Sequence, residues 1–330
     1  MNYHSLVNRY RQFGGLRLVR EYARLGVLWP ITKTFIRCIL KRESLKRIYP
    51  VALKKVQPFL MKQYNGFMKN RKEYYADMAL EHQRSKVVWF CWLQGLENAP
   101  KVVKVCYNSL RQHLSDREIK VIDNNNWKEF IELPEYVVQK WEKGKIPAAN
   151  FSDLLRLELL IRYGGTWIDS TVLCTGFDTK ETQESQKYLD ADLFLYQYTP
   201  PGTVAGINIS NWFISACTKN KVLMILRDML LEYWKDYDCT IDYYIFHLFF
   251  KMVANEFPEK IGAMPYGNSM DSLVLLHHWG ETFNQKKWNR VTRQVCFHKL
   301  AFRVNEKTKK DKENYYSYII NNGYMGNKKA

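Results

Sequence analysis

The chain has 330 residues, of which 46% are hydrophobic and 25% charged, as expected for a globular protein with a full core. Its net charge of +17 is uneven, because the first 86 residues hold 19 basic and 5 acidic side chains. Attraction to a polyanion is therefore expected of one segment and not of the whole protein. No recognisable nucleic-acid-binding module accompanies the charge, so no nucleic acid partner is expected.

The seven cysteines are scattered along the chain, and none forms a Cys-x-x-Cys pair. This pattern fits neither a disulfide framework nor a zinc site, and it favours a reducing compartment. Arginines interrupt the apolar stretches near the N-terminus, and no uncharged apolar run reaches the length of a membrane span. Neither a signal peptide nor a transmembrane helix is expected. The expected location is cytoplasmic, at the inner face of the cell membrane.

Residues 1–85 are expected to form a basic helical segment. Two apolar stretches, 16–40 and 45–68, are interspersed with Lys and Arg, and Pro30 is expected to break the first. Basic amphipathic helices with interfacial aromatic residues are typical of peripheral binding to anionic lipid. An anionic membrane surface is therefore a predicted partner of residues 1–86. A helical extension packed on the main domain is the alternative.

An α/β pattern begins near residue 86. Residues 87–93 form a continuous apolar run of strand length, Pro100 is expected to open a helix, and residues 119–123 form a second strand. This β–α–β order indicates the first half of a nucleotide-binding sheet. The lack of a GxGxxG or P-loop motif argues against nicotinamide dinucleotides and against ATP-type phosphate binding.

A buried helix with polar residues on one face is expected shortly before residue 164. Asn150 or Ser152 is expected to cap it, which places Asp153 in the first turn. Arg156 follows Asp153 by three residues and therefore shares its face. By itself this pair is more typical of a plain helix salt bridge, since such pairs are common.

The end of this helix is predicted to deliver an acid to the edge of the sheet. Gly164 and Gly165 are expected to form a left-handed turn, and residues 166–168 a short strand. Asp169 then lies at the carboxyl end of that strand, where ligands bind in open α/β sheets. A simple turn cap is the alternative role for this aspartate.

These residues carry a specific resemblance. FSDLLRLELLIRYGGTWIDST resembles the signature of the capsular polysaccharide synthesis glycosyltransferases, which are related to glycosyltransferase family 32. Further matches occur in the expected order at VVWFCWLQGLENAPKVV, SNWFISACTKNKVLMILRDMLLEYW, IDYYIFHLFF and CFHKL, so the resemblance covers roughly residues 86–300. It implies an α/β GT-A fold, with a Rossmann-like first half and a mixed central sheet, over residues 86–306. A basic, loosely ordered tail is expected at 307–330.

The resemblance also implies an activity. Relatives transfer a sugar from a nucleotide-sugar donor with retention of anomeric configuration, which implies the same here. The expected donor is a UDP-sugar and the expected acceptor a growing, lipid-linked capsular or other surface polysaccharide. Two alternatives are a catalytically idle protein that binds membranes or polyanions on the same scaffold, and a sugar-phosphate transferase.

The resemblance assigns roles residue by residue. Asp169 and Arg156 are the expected catalytic residues, and Asp242 is a further candidate that could equally cap a helix. Donor binding is expected of a larger set on the two strand ends and the helix: Trp92, Gln94, Gly95, Asp153, Arg156, Gly165, Asp169, Ser170 and Thr171.

A divalent cation, Mn²⁺ or Mg²⁺, is the expected cofactor of such a site. Asp169 falls on the first acid of a DxD motif, and His298 falls near a late metal ligand of some GT-A enzymes. The third motif position is Thr171 and not an acid, although hard cations prefer several carboxylate oxygens. Three outcomes stay open: a weakly held metal, a metal held by Asp169, His298 and substrate phosphates, or no metal.

Overall fold

The computed structural model describes residues 11, 13–41, 43, 47–78, 82–198 and 209–321. These residues form helices on both faces of a central sheet, preceded by a helical N-terminal segment. None of the helices in the described ranges combines the length and the apolar character needed to cross a membrane.

The N-terminal segment contains three helices: α1 (Leu16–Arg24), α2 (Leu28–Leu40) and α3 (Ile48–Ala76). The predicted helical character is confirmed, but the predicted break at Pro30 is wrong. Pro30 lies in the first turn of α2. Backbone N–H groups in that turn have no acceptor within the helix, so a proline, which lacks this group, is tolerated there. The break falls before α2, at residues 25–27.

The strands are β1 (Val87–Cys91), β2 (Glu118–Ile122), β3 (Gly165–Ile168), β4 (Val172–Cys174), β5 (Leu193–Gln197), β6 (Ile209–Ala216) and β7 (Phe297–Lys299). Five of them form one sheet in the order β2-β1-β3-β6-β5. β1 is parallel to β2 and β3, whereas β6 is antiparallel to β3 and β5. The predicted α/β class with a mixed central sheet is therefore confirmed. β4 and β7 pair separately as an antiparallel ribbon.

The remaining α-helices of the described ranges are α4 (Lys101–His113), α5 (Trp127–Phe130), α6 (Glu135–Glu142), α7 (Ala148–Tyr163), α8 (Lys180–Glu184), α9 (Gln186–Leu189), α10 (Lys221–Asp236), α11 (Ile245–Asn255), α12 (Pro258–Gly262), α13 (Ser269–Ser272), α14 (Val274–His277), α15 (Gln285–Gln294), α16 (Glu306–Lys310) and α17 (Tyr315–Asn321).

The core lies on both faces of the sheet. Side chains of β1 alternate, as the two-residue period of a strand requires. Trp89 and Cys91 pack into the cluster that contains α3, α7, α10 and α11, and Val88 and Phe90 face the opposite layer with α4. A strand buried on both faces explains why its sequence is continuously apolar.

Helix α7 begins earlier than the sequence suggested. Its first residue is Ala148, directly after Pro147, so Asn150 and Ser152 lie inside the helix and do not cap it. The predicted left-handed turn is confirmed by φ values of 65° at Gly164 and 90° at Gly165. A Cβ at Gly165 would lie 2.2 Å from the carbonyl oxygen of Val87 on the neighbouring strand β1. This position therefore needs glycine for both its φ value and its close approach to β1.

The expected loosely ordered tail is wrong for residues 315–321. These form α17, in which Tyr315 and Ile319 are fully buried beside Val102 and Cys106 of α4. The prediction gave too much weight to the basic residues before α17 and overlooked the apolar, aromatic stretch that packs on the domain. Residues 307–310 belong to the short helix α16, and the end of the tail, 322–330, lies outside the described residues.

Candidate functional site

Asp169 follows β3 directly, at the carboxyl end of the parallel strands. Its backbone N–H donates to the carbonyl of Trp212 on β6 over 2.8 Å, and its Oδ1 accepts from Trp167 Nε1 over 2.9 Å. About a quarter of its side chain (26%) is exposed. The predicted position of this acid at the strand end is thus observed, with a fixed carboxylate on a side chain that is mostly buried and partly exposed.

A lysine that sequence analysis missed pairs with this acid. Lys299 Nζ lies 2.8 Å from Asp169 Oδ2 and 2.8 Å from Thr171 Oγ1. The β4–β7 ribbon positions it, because Lys299 is in register with Val172 and the next residue, Leu300, donates its N–H to the Thr171 carbonyl. The CFHKL motif contained the information needed to find this lysine. In a strand, adjacent side chains point to opposite faces, so only one of His298 and Lys299 can face Asp169.

Arg156 supplies a second cation from α7. Its side chain is almost fully buried, and Nη1 lies 2.7 Å from the Asn211 carbonyl oxygen and 3.1 Å from Asp153 Oδ1. Nη2 lies 3.5 Å from Asp169 Oδ1, and the guanidinium carbon lies 4.9 Å from the centre of the Trp167 ring. The predicted Asp153–Arg156 pair therefore exists, and it reaches Asp169 as well.

The two acids that share Arg156 have opposite pKa shifts. Burial alone would raise the pKa of Asp169, but the charges of Lys299 and Arg156 and a hydrogen bond from Lys299 bring it below its usual range. For Asp153, burial outweighs the attraction of Arg156 and a hydrogen bond from Asn211, and its pKa rises to about 7. Asp169 is therefore charged at neutral pH, while Asp153 is close to its titration midpoint.

The loop after β1 lies beside this cluster. Cys91 ends β1, and Arg156 and Asp169 both act electrostatically on its buried thiol, whose pKa burial raises to about 12. The following Trp92 packs edge to face with Phe302, three residues after Lys299, with ring centroids 5.2 Å apart.

Other predicted donor-binding residues also lie along these two strand ends. Gln94 is exposed, Gly95 has a φ of 81°, and Ser170 is half-buried between Asp169 and Thr171. Gly165 does not join them: it is buried at the amino end of β3, four residues before Asp169, where it allows the close approach to β1, so the structure favours a structural role for it over the expected donor binding.

His298 is not brought to Asp169 by any hydrogen bond or ion pair within the described residues. It is fully buried, its Nε2 lies 3.1 Å from Thr175 Oγ1, and burial lowers its pKa to about 3. The described ranges also contain no group of three or more His, Cys, Asp or Glu side chains that could hold a metal ion. The predicted pairing of these two residues around a cation therefore has no geometric support.

Asp242 has a different environment. It is fully buried, Oδ1 accepts from Tyr49 Oη and from the backbone N–H of Tyr244, both over 2.8 Å, and Oδ2 accepts from Gln57 Nε2 over 3.0 Å. Burial raises its pKa in spite of these bonds. Both oxygens are thus used to tie α3 to the segment before α11, which favours a structural role over the expected catalytic one.

The fold and the cluster together describe an α/β protein with a group of charged side chains at the carboxyl edge of its parallel strands, the edge at which ligands bind in open α/β sheets. The chain belongs to the capsular polysaccharide synthesis protein family, whose family model matches residues 37–319. This match extends beyond the region of sequence resemblance and includes the last turn of α2, from Arg37, and all of α3.

No curated protein matches the chain significantly. Among solved structures, the PaToxG glycosyltransferase matches with a TM-score of 0.38 and 12% sequence identity, over 72% of this chain and 93% of that chain. With a TM-score this low, only the family match bears on the class of the protein.

Proposed function

We propose that this protein is a glycosyltransferase of the GT-A type, which transfers a sugar from a nucleotide-sugar to a growing surface polysaccharide. The observation that carries the proposal is the cluster of Asp169, Arg156 and Lys299 at the carboxyl end of β3. An acid held between two cations, partly open to solvent, suits a ligand that carries a diphosphate. The family's link to capsular polysaccharide synthesis supports this substrate class.

The proposed reaction requires groups that stabilise negative charge on the leaving group. As the bond between the sugar and the diphosphate breaks, negative charge develops on the departing nucleoside diphosphate. Arg156 and Lys299 are cations fixed before the reaction, and such preorganised groups stabilise developing charge most effectively. The planar guanidinium of Arg156 also suits two phosphate oxygens at once.

Transfer with retention requires no second carboxylate on the opposite face of the sugar. In a front-face mechanism the acceptor hydroxyl attacks from the side on which the diphosphate leaves. Its proton passes to the departing phosphate oxygen. The donor is proposed to lie over Trp92, Gln94, Gly95 and Ser170, which line the two neighbouring strand ends.

A donor screen tests the proposal. Purified protein would be incubated with a panel of nucleotide-sugars, and release of nucleoside diphosphate would be followed for the wild type and for Asp169→Ala. We expect slow hydrolysis of one donor by the wild type and its loss in the variant. Asp178→Ala, which removes an exposed aspartate elsewhere, serves as the matched control and should behave as the wild type does.

Other outcomes of the screen would identify other functions. The absence of both turnover and a donor-induced rise in Tm would contradict the proposal and favour an idle binding protein. Release of a nucleoside monophosphate in place of a diphosphate would identify a sugar-phosphate transferase.

The acceptor is proposed to be lipid-linked, with the protein held peripherally at the inner face of the membrane. Large apolar side chains are exposed on α1 and α2, including Leu16 (80%), Trp29 (74%) and Leu40 (78%). On α2, Trp29, Lys33, Ile36 and Leu40 share one face at helical spacing, and all four are exposed. A basic helix face with an exposed tryptophan fits an anionic lipid surface.

The proposed lipid contact does not include the whole basic segment. Helix α3 buries Val56, Leu60, Tyr64 and Met68 against the domain, as the alternative of a packed extension expects. The proposed lipid contact is therefore α1 and α2 alone.

Vesicle flotation tests this surface. We expect Trp29→Ser/Leu40→Ser to bind vesicles containing phosphatidylglycerol at least about tenfold more weakly, since burying one such side chain contributes about 1.5–3 kcal/mol. Tyr266→Ser, at an exposed aromatic residue of the main domain, is the control. Equal binding by the double variant and the wild type would remove these helices from the proposal.

A further inference from the structure

In a DxD motif, the first and third side chains would hold a divalent cation. In this chain both of these side chains contact the ammonium group of Lys299. Asp169 occupies the first position and Thr171 the third, and Lys299 Nζ lies 2.8 Å from an oxygen of each. A metal ion bound by such a motif would need the same two oxygens. In this chain they are partners of a lysine.

The donor set does not fit a divalent cation. Mn²⁺ and Mg²⁺ prefer several oxygen ligands, carboxylates among them. Thr171 offers a neutral hydroxyl, and His298 is held away with Thr175. A divalent ion at Asp169 would also lie beside the positive charge of Lys299, and like charges at such distances repel.

We propose that the Lys299 ammonium takes the place of the divalent cation, so that the donor diphosphate is bound and its departure assisted without a metal. The inference rests on the proposed glycosyl transfer and deepens it. Lys299 is then a catalytic residue, because it contacts the diphosphate oxygens directly.

The placement of Lys299 suits this role. Its side chain is 21% exposed, so it is held over most of its surface and still borders solvent. An ammonium has three N–H donors, and the bonds to Asp169 and Thr171 use two of them. The third can donate to a phosphate oxygen. The β4–β7 ribbon fixes the backbone, so little reorganisation is needed when the charge develops.

The step balances without any further reactant. The bond between the anomeric carbon and the diphosphate oxygen breaks, and its electron pair stays on that oxygen. The acceptor oxygen forms the new bond to the anomeric carbon, and its proton moves to the departing diphosphate. Lys299 keeps all its protons and offsets the charge on the leaving group together with Arg156.

The experiment measures metal dependence and UDP binding side by side. Wild-type protein would be treated with EDTA, and UDP affinity would be measured by calorimetry and donor turnover with the UDP-sugar panel. We expect EDTA to change neither quantity by more than about twofold. Lys299→Met is expected to lower turnover about 100- to 1,000-fold and to weaken UDP binding, with no rescue by Mn²⁺.

Two variants keep the test independent of folding. Lys299→Arg retains a cation and is expected to bind UDP more tightly than Lys299→Met. Lys309→Met removes an exposed lysine that pairs only with Glu306 in the described structure, and it should match the wild type. Tm and circular dichroism would confirm that each variant folds, and the EDTA arm needs no variant.

The outcomes separate this inference from the proposed function. Turnover that EDTA abolishes and Mn²⁺ restores would overturn the inference and leave the glycosyltransferase in place. Normal UDP binding and turnover by Lys299→Met would do the same. A wild type that neither binds nor turns over any donor of the panel would overturn both.

Discussion

Asp169 and Asp242 are both aspartates with buried surroundings, and the sequence offered both as catalytic residues. Asp169 is paired with two cations, Lys299 and Arg156, and a quarter of its side chain is exposed. Asp242 is fully enclosed and accepts hydrogen bonds only from neutral donors in the described structure. Their pKa values accordingly shift in opposite directions, downward for Asp169 and upward for Asp242.

The comparison contrasts the partners of an acid suited to a ligand site with those of an acid suited to a structural role. Balancing charges keep an acid ionised and leave it able to exchange one partner for a ligand. Neutral donors on a sealed acid stabilise the packing of α3 and offer a ligand no access. The comparison predicts that a change at Asp169 acts mainly on activity and a change at Asp242 mainly on stability.

The largest expected effect is on activity at Asp169. Asp169→Asn keeps the shape of the side chain but removes the charge that positions Lys299 and Arg156. We expect donor turnover to fall about 100-fold or more, in the range seen when one preorganised electrostatic group is lost. Nucleoside diphosphate release measures it, with Asp178→Asn as the exposed control. A variant with wild-type turnover would show that the cluster is not catalytic.

The second effect is on stability at Asp242. In Asp242→Asn the amide donates where the carboxylate accepted, so a buried donor such as Gln57 Nε2 or Tyr49 Oη loses its acceptor. The expected loss of unfolding free energy is about 1–3 kcal/mol. Urea unfolding measures it, and turnover per folded molecule should stay unchanged. If activity falls while the urea midpoint holds, the catalytic interpretation of Asp242 is right after all.

The smallest effect is a pH dependence from Asp153. With a folded-state pKa of about 7, raised from 3.8, the native protein keeps a proton between pH 4 and 7 that the unfolded chain releases. The stability that this proton contributes is therefore fully present below pH 4 and is lost as the pH rises to 7. We expect the difference in Tm, wild type minus Asp153→Asn, to fall between pH 4 and 7 and then to level off.

The control for this prediction is Asp271→Asn, at an exposed aspartate, whose Tm should parallel that of the wild type between pH 4 and 7. Parallel curves for Asp153→Asn and the wild type would mean that the Asp153 carboxyl does not titrate in this window.

Much of the site was predictable because it is local in sequence. Asp153 and Arg156 are three residues apart on one helix, and their shared face follows from helix geometry. The turn at Gly164 and Gly165 and the position of Asp169 after a short apolar strand follow from equally local patterns. The residues that sequence analysis placed well are those within about twenty positions of one another.

The errors concern contacts between distant segments. The sequence favoured His298 for the metal, while the structure turns its neighbour Lys299 toward an acid 130 residues away. Asp242 is bound by Tyr49, 193 residues away, which no local pattern indicates. The tail helix α17 was missed because its basic surroundings outweighed a short apolar stretch.

The sequence by itself determined the α/β class, the helical N-terminal segment, the glycine turn and the acid at the end of β3. These follow from the periods of helices and strands and from the conformational freedom of glycine. The tertiary structure alone decided which cation faces Asp169, that Asp242 is sealed and which apolar residues of α1 and α2 stay exposed. Strand register and helix packing fix these features, since they bring together side chains that are far apart along the chain.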